Sequence, residues 1–146
     1  MNDDIITSED EDIFESERIC LHILADSTGR TASSVVCGAV VQFPEGAVSV
    51  RGLSHIKSAE EVRAYVEKYI KKDEMTTVFH TILDPELRRE IRRVLEANGI
   101  PSVDLLGPVT QLVARMLQED PVGIPGITME DALQDMHLLD ATYLDV

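Results

Sequence analysis

Apolar positions along this chain switch repeatedly between two spacings. An apolar run from Ile19 to Leu24 predicts a buried strand over 18–24. A helical spacing begins at Thr31 and runs to about Phe43, with Ala32, Val35, Val36, Ala39, Val40 and Phe43 on one side. Ser33, Ser34, Cys37 and Gly38 fall opposite, small enough to let that helix lie close to a neighbouring backbone. Pro44-Glu45-Gly46 stops it. A second strand is expected over 48–53. Ser58 and Glu61 then form a capping box for a helix whose inner face is Ala59, Val62, Val66, Tyr69 and Ile70. The β-branched and aromatic stretch 76–83 predicts the third strand. Asp84-Pro85 is a helix start, Leu87, Ile91, Val94 and Leu95 face inward, and Asn98-Gly99 ends the helix. A short strand over 102–106 leads to a fourth helix, with Val109, Leu112, Val113, Met116 and Leu117 as its inner face.

Strands alternating with helices through short loops imply an α/β fold, Rossmann-like: a mainly parallel sheet of about four strands with helices on both faces. Ligands in such sheets bind beyond the C-terminal ends of the strands. Three places qualify here: the loop Asp26 to Thr31, the pair His80-Thr81, and the corner Leu106-Gly107-Pro108. Residues 18–119 read as the α/β domain, preceded by an acidic, flexible arm over 1–17. Residues 120–146 read as a linker and an acidic C-terminal segment. Thr128 to Asp131 would cap a last short helix bearing Leu133, Met136 and Leu139.

Charge narrows the function classes. The 146 residues carry a formal net charge of −14, which argues against nucleic-acid binding by basic surface. Residues 1–17 contain no Lys or Arg, and neither follows Arg115. No apolar run approaches the ~20 residues that span a bilayer. The acidic N-terminus resembles neither a secretory signal nor a transit peptide, so a cytoplasmic location is expected. Cys20 and Cys37 match no zinc or redox spacing and read as core thiols. The four histidines form no pair at helical spacing, so no metal site is expected.

The strand-to-helix junction Asp26-Ser27-Thr28-Gly29-Arg30-Thr31 carries the most chemistry. It aims backbone N–H groups and the positive end of a helix dipole at one spot, with three hydroxyls and a guanidinium beside them. That suits a phosphate or a carboxylate. It is neither GxxxxGK[ST] nor GxGxxG. A plainer reading has Ser27, Thr28 or Thr31 cap the helix and Asp26 stabilise the turn. Arg88, Arg89, Arg92 and Arg93 stack at i,i+4 spacing as a basic helix face, either solvated and offset by Glu86, Glu90 and Glu96 or a surface for an acidic partner. His80 is a candidate general base or a structural histidine. No Ser-His-Asp or Cys-His arrangement marks a catalytic residue.

Several of these blocks together resemble a known family. ILADSTGRTASSV followed by Gln42-Phe43-Pro44, then VFHTILDPELRREI, Gly99-Ile100-Pro101 and VDLLGP at 103–108, look like the signatures of the bacterial regulatory proteins of pyruvate, phosphate dikinase and phosphoenolpyruvate synthase. The resemblance covers about Ile19 to Gly126. It implies a bifunctional serine/threonine kinase and phosphorylase. Such a protein uses ADP to phosphorylate, and inactivate, a threonine of the dikinase or synthase, and removes the phosphoryl group with inorganic phosphate. Both reactions are attributed to a P-loop resembling GVSRTSKT in the family's C-terminal half. No such segment occurs in these 146 residues. Pro125-Gly126 and His137-x-Leu139-Asp140-x-x-Tyr143 match the family, with extra residues from Ile127 to about Met136 between them.

The chain therefore reads as the N-terminal domain, truncated before the kinase domain and expected to be inactive alone. ADP and phosphate are implied for the full-length family, and no cofactor is assigned to this chain. Expected partners are the dikinase or synthase and a second copy in a homodimer. The alternatives are a stand-alone phosphate- or nucleotide-binding module and a structural, dimerising fragment.

Overall fold

The computed structural model describes residues 19–44, 46 and 48–125. The expected acidic arm, the last short helix and the 137–143 pattern lie outside the described residues. Eight elements alternate: β1 Ile19–Ala25, α1 Arg30–Val40, β2 Val48–Leu53, α2 Ala59–Tyr69, β3 Met75–Thr81, α3 Pro85–Ala97, β4 Ser102–Asp104 and α4 Gly107–Leu117. All pairings in the sheet are parallel, in the order β2-β1-β3-β4. The register aligns Leu24 with Leu53 on one side and His80 on the other.

Alternate residues of the central strands feed two cores. Leu24, Val78 and Ile82 pack with Val62 and Val66 of α2 and Ile91 and Leu95 of α3. Ile23 packs on the other face with Ala32 and Val36 of α1, flanked by Leu21 and Phe79. The connection from β1 thus leaves across one face and those from β2 and β3 across the other. That change of direction makes the gap between the C-terminal ends of β1 and β3 the topological switch point.

Three expectations about facing are corrected. Helix α1 buries only Ala32 and Val36. Val35 and Phe43 are exposed, because a single helix covers this face along one narrow line and positions three residues away roll into solvent. The small residues at 33, 34, 37 and 38 are exposed too, and a side chain added at Gly38 would meet nothing within 4 Å. In α2 the buried tyrosine is Tyr65, not Tyr69, since its hydroxyl hydrogen-bonds Nδ1 of the fully buried His22 at 2.7 Å.

Helix α4 differs most. The expected inner residues Val109, Leu112, Val113, Met116 and Leu117 are all exposed, Met116 by 81%. Asp104 Oδ1 accepts from Leu106 N at 3.0 Å and Gly107 N at 2.7 Å, which sets the direction in which the helix leaves β4. The smaller residues Gly107, Thr110 and Ala114 are the less exposed positions of α4. Periodicity shows that a helix has an apolar face. It does not show what that face meets.

Candidate functional site

The junction after β1 lies at the switch point, and its helix start is open. Gly29 is the N-cap of α1, with φ +81°, a left-handed conformation that favours glycine. The N-cap residue Gly29 offers no side-chain cap to α1, and the first turn contains no acid. Thr28 Oγ1 accepts from Arg30 N at 3.3 Å, and the first helical bond runs from Ser33 N to Gly29 O at 2.9 Å. The capping role that the plainer reading gave to Ser27, Thr28 or Thr31 is thus filled in part, by Thr28, which takes the N–H of the first residue of the helix. Thr28, Arg30 and Thr31 are exposed, whereas Gly29 and Ala32 are buried, so the first three are the solvent-facing part of the turn.

The other helix starts are served by their own carboxylates. Asp84 Oδ1 accepts from Glu86 N and Leu87 N at α3. Glu61 Oε2 accepts from Lys57 N and Ser58 N at α2. Asp104 occupies the start of α4 in the same way.

Asp26 does something different from its neighbours. It is only 7% exposed. Its Oδ2 accepts from Leu83 N at 2.8 Å and Asp84 N at 3.2 Å, and its own N–H donates to Thr81 O at 3.4 Å. The carboxylate thus ties the end of β1 to the loop between β3 and α3 across the switch point. Its Oδ1 is buried with no hydrogen-bond partner. Asp26 is a brace with one spare acceptor, while Thr28 to Thr31 present donors.

The segment after β2 completes the surroundings, and sequence reading missed it. His55 N donates to Ser27 O at 2.8 Å and Ile56 N to Ala25 O at 3.1 Å, so this segment holds the junction loop in place. His55 has φ +54°, uncommon for a residue with a side chain. A cleft of about 290 Å³ lies between the two segments, bordered by Thr28, Gly29, Ser33, Gly52 and Ser54. Gly52 is required there, because a Cβ would stand 2.6 Å from Ile23 O. Arg51 also borders the cleft, but its guanidinium lies 5.7 Å from the Tyr69 ring. The sequence signal was available: Arg51-Gly52-Leu53-Ser54 closes the strand beside β1, where the fold rule places ligands.

The four arginines of α3 do not act as one face. Arg88 Nη1 donates to Ile82 O at 3.3 Å, and its Nε lies 4.0 Å from Asp104 Oδ2. Arg92 borders a cleft of about 410 Å³ beside β4, shared with His80, Ser102 and Gln111. Arg89, Arg92 and Arg93 are exposed. His80 stands opposite Asp104 in the register and is buried, with Nδ1 unpartnered. Burial pushes its pKa below the ordinary histidine value. Asp104 opposes that shift, and Arg92 and Arg88 add to it. Its neutral form is thus favoured, and His80 borders a different cleft from Thr28 and Gly29.

Among the described residues no helix is long and apolar enough to cross a membrane. The model of a family described as kinase/pyrophosphorylase matches residues 21–144. A pyruvate, phosphate dikinase regulatory protein of Lysinibacillus sphaericus is 29% identical over 129 residues, covering 87% of this chain and 44% of that protein. One of Halothermothrix orenii is 30% identical over 128 residues, covering 88% and 44%. One of Geobacter sulfurreducens is 30% identical over 107 residues, covering 73% and 39%. The chain spans less than half the length of these curated relatives.

Proposed function

The chain belongs to the kinase/pyrophosphorylase family, and we propose that it is part of a regulatory protein acting on pyruvate, phosphate dikinase or on phosphoenolpyruvate synthase. Relatives with the dikinase name support the regulatory reading. In it, Ser27 to Thr31 bind a phosphoryl group or inorganic phosphate through the open turn of α1, its hydroxyls and Arg30. Asp26 holds that turn against the β3–α3 loop. The carrying observation is the start of α1, with a glycine N-cap and no acid in its first turn, at the switch point of a parallel sheet.

The reading gives these residues phosphoryl recognition and partner contact, with Arg89, Arg92 and Arg93 as the exposed cations of α3. Phosphoryl transfer depends on positioning and on neutralising charge, usually with a metal and a lysine or arginine. The GVSRTSKT-like segment that the resemblance assigns to that step is not among these residues. ADP-dependent phosphorylation of the dikinase by the 146-residue chain is therefore not expected.

The test is thermal unfolding with phosphate, pyrophosphate, ADP and phosphoenolpyruvate. A ligand at ~100 Kd stabilises the folded state by about 2.7 kcal/mol. A rise in Tm with a phosphoryl ligand, reduced in Arg30→Ala, supports the reading. No rise with any of the four would leave α1 as a glycine-capped helix with no ligand. Retention of the dikinase, rather than the synthase, on immobilised chain would settle the target.

A further inference from the structure

The phosphoryl reading leaves the cleft between α3, β4 and α4 without a task. Its volume is about 410 Å³, within the size range of small-molecule sites and larger than a bare ion needs. His80, 1% exposed, borders it from β3. The buried Nδ1 of that ring has no hydrogen-bond partner, and a buried polar atom without one marks a place where a water or a ligand belongs. Arg92 of α3, Ser102 of β4 and Gln111 of α4 border the cleft as well. None of these three side chains has a hydrogen-bond or ion-pair partner among the described residues. Three elements thus bring a guanidinium, a hydroxyl and an amide to one place, and all three can donate.

The charges narrow the ligand. Asp104 Oδ1 already accepts from Leu106 N and Gly107 N, and Oδ2 lies 4.0 Å from Arg88 Nε. Asp104 is therefore engaged, and Arg92 is the cation left over. Glu96 borders the same cleft one turn further along α3, so its charge opposes a ligand with several negative charges. One spare cation suits one carboxylate, which a guanidinium holds through two parallel N–H donors. The remaining walls, Ile100, Pro101 and Pro108, are apolar. They suit a hydrocarbon body, which inorganic phosphate lacks.

We propose that this cleft binds a small organic monocarboxylate, with its carboxylate on Arg92, Ser102 and Gln111 and its apolar body on Pro101 and Pro108. Thr28 and Gly29 border a different cleft, so this site stands or falls independently of the phosphoryl reading.

Amide NMR of the 15N-labelled 146-residue chain, titrated with benzoate, cyclohexanecarboxylate and butyrate, tests this. At least one of the three should give saturable shifts at the Gln111 side-chain amide and the backbone N–H groups of Ser102 and Val103. The uncharged amide of the probe that binds should bind about tenfold or more weakly, the scale of a charge-assisted hydrogen bond. Arg92→Met should weaken the carboxylate to a similar degree. Arg92 is exposed, so its replacement leaves the fold, and the rest of the amide spectrum, intact. Inorganic phosphate should give no saturable shift at these positions. No saturable shift with any of the three acids up to tens of millimolar would overturn the proposal. Equal binding of the uncharged amide, equal shifts with phosphate, or undiminished binding in Arg92→Met would each overturn it too.

Discussion

Replacing Asp26 with alanine removes the brace across the switch point. Two backbone donors, Leu83 N at 2.8 Å and Asp84 N at 3.2 Å, lose the same carboxylate oxygen. A hydrogen bond to a charged group contributes roughly 1.5–3 kcal/mol. Leu83 and Asp84 are half-buried, so water recovers part of the loss. Asp26→Ala should therefore cost about 2–4 kcal/mol. Asp26→Asn is the sharper comparison. Its carbonyl can still accept from Leu83 N, but its amide then occupies the position of Oδ1, which is buried without a partner. An unsatisfied buried donor costs about 1–3 kcal/mol, so asparagine should rescue only part of the stability. The assay is equilibrium unfolding in urea, read as a lower midpoint with an unchanged slope. If Asp26→Ala stays within about 0.5 kcal/mol of the wild type, near the spread of ordinary surface substitutions, water already serves Leu83 N and Asp84 N and the brace is not real.

Acid should destabilise the fold through its buried histidines. Burial lowers the pKa of both His22 and His80, against smaller opposing effects of Glu74 and Asp104. The unfolded chain then binds more protons than the folded one below about pH 6.5, so stability falls as pH drops from 6.5 towards the folded pKa values, by up to ~1.4 kcal/mol per pH unit for each histidine. Urea midpoints between pH 7.5 and 5 check this, and a flat profile in His22→Gln and His80→Gln alike with that of the wild type would refute it. Gly107→Ala would put a Cβ 2.0 Å from Asp104 Oδ2 and displace the carboxylate that receives Leu106 N and Gly107 N. It should cost roughly 1–3 kcal/mol and raise exchange at the start of α4, whereas Gly38→Ala, with nothing within 4 Å, should be neutral or stabilising.

Most of the element order was legible in the sequence. The apolar run of β1 is buried at most positions, β3 is rich in β-branched residues, and the Asp84-Pro85 and Ser58…Glu61 starts are local signals. Such features need no tertiary information. The misses all depend on contacts distant in sequence. Tyr65 is buried because His22, on another strand, needs a partner. Ile56 fills the core from a loop whose N–H bonds the end of β1. Arg88 leaves the basic face because Ile82 O and Asp104 lie beside it. At the site, the residues of the Asp26–Thr31 loop were identified together, but Asp26 acts as an internal brace, Ser27 receives the N–H of His55, and Gly29 to Thr31 start the helix. A loop composition lists donors and acceptors; only the fold shows which of them already have partners.

Backbone amide NMR of the 15N-labelled chain, titrated with inorganic phosphate, reads the open start of α1 directly. Saturable shifts should centre on the N–H groups of Gly29, Arg30 and Thr31, weaken with added salt and shrink in Arg30→Ala. The capped starts of α2, α3 and α4 should stay still. Shifts confined to Arg89 and Arg93, or no saturable shift at Gly29 to Thr31 up to tens of millimolar phosphate, would contradict the assignment of this junction as a phosphoryl site.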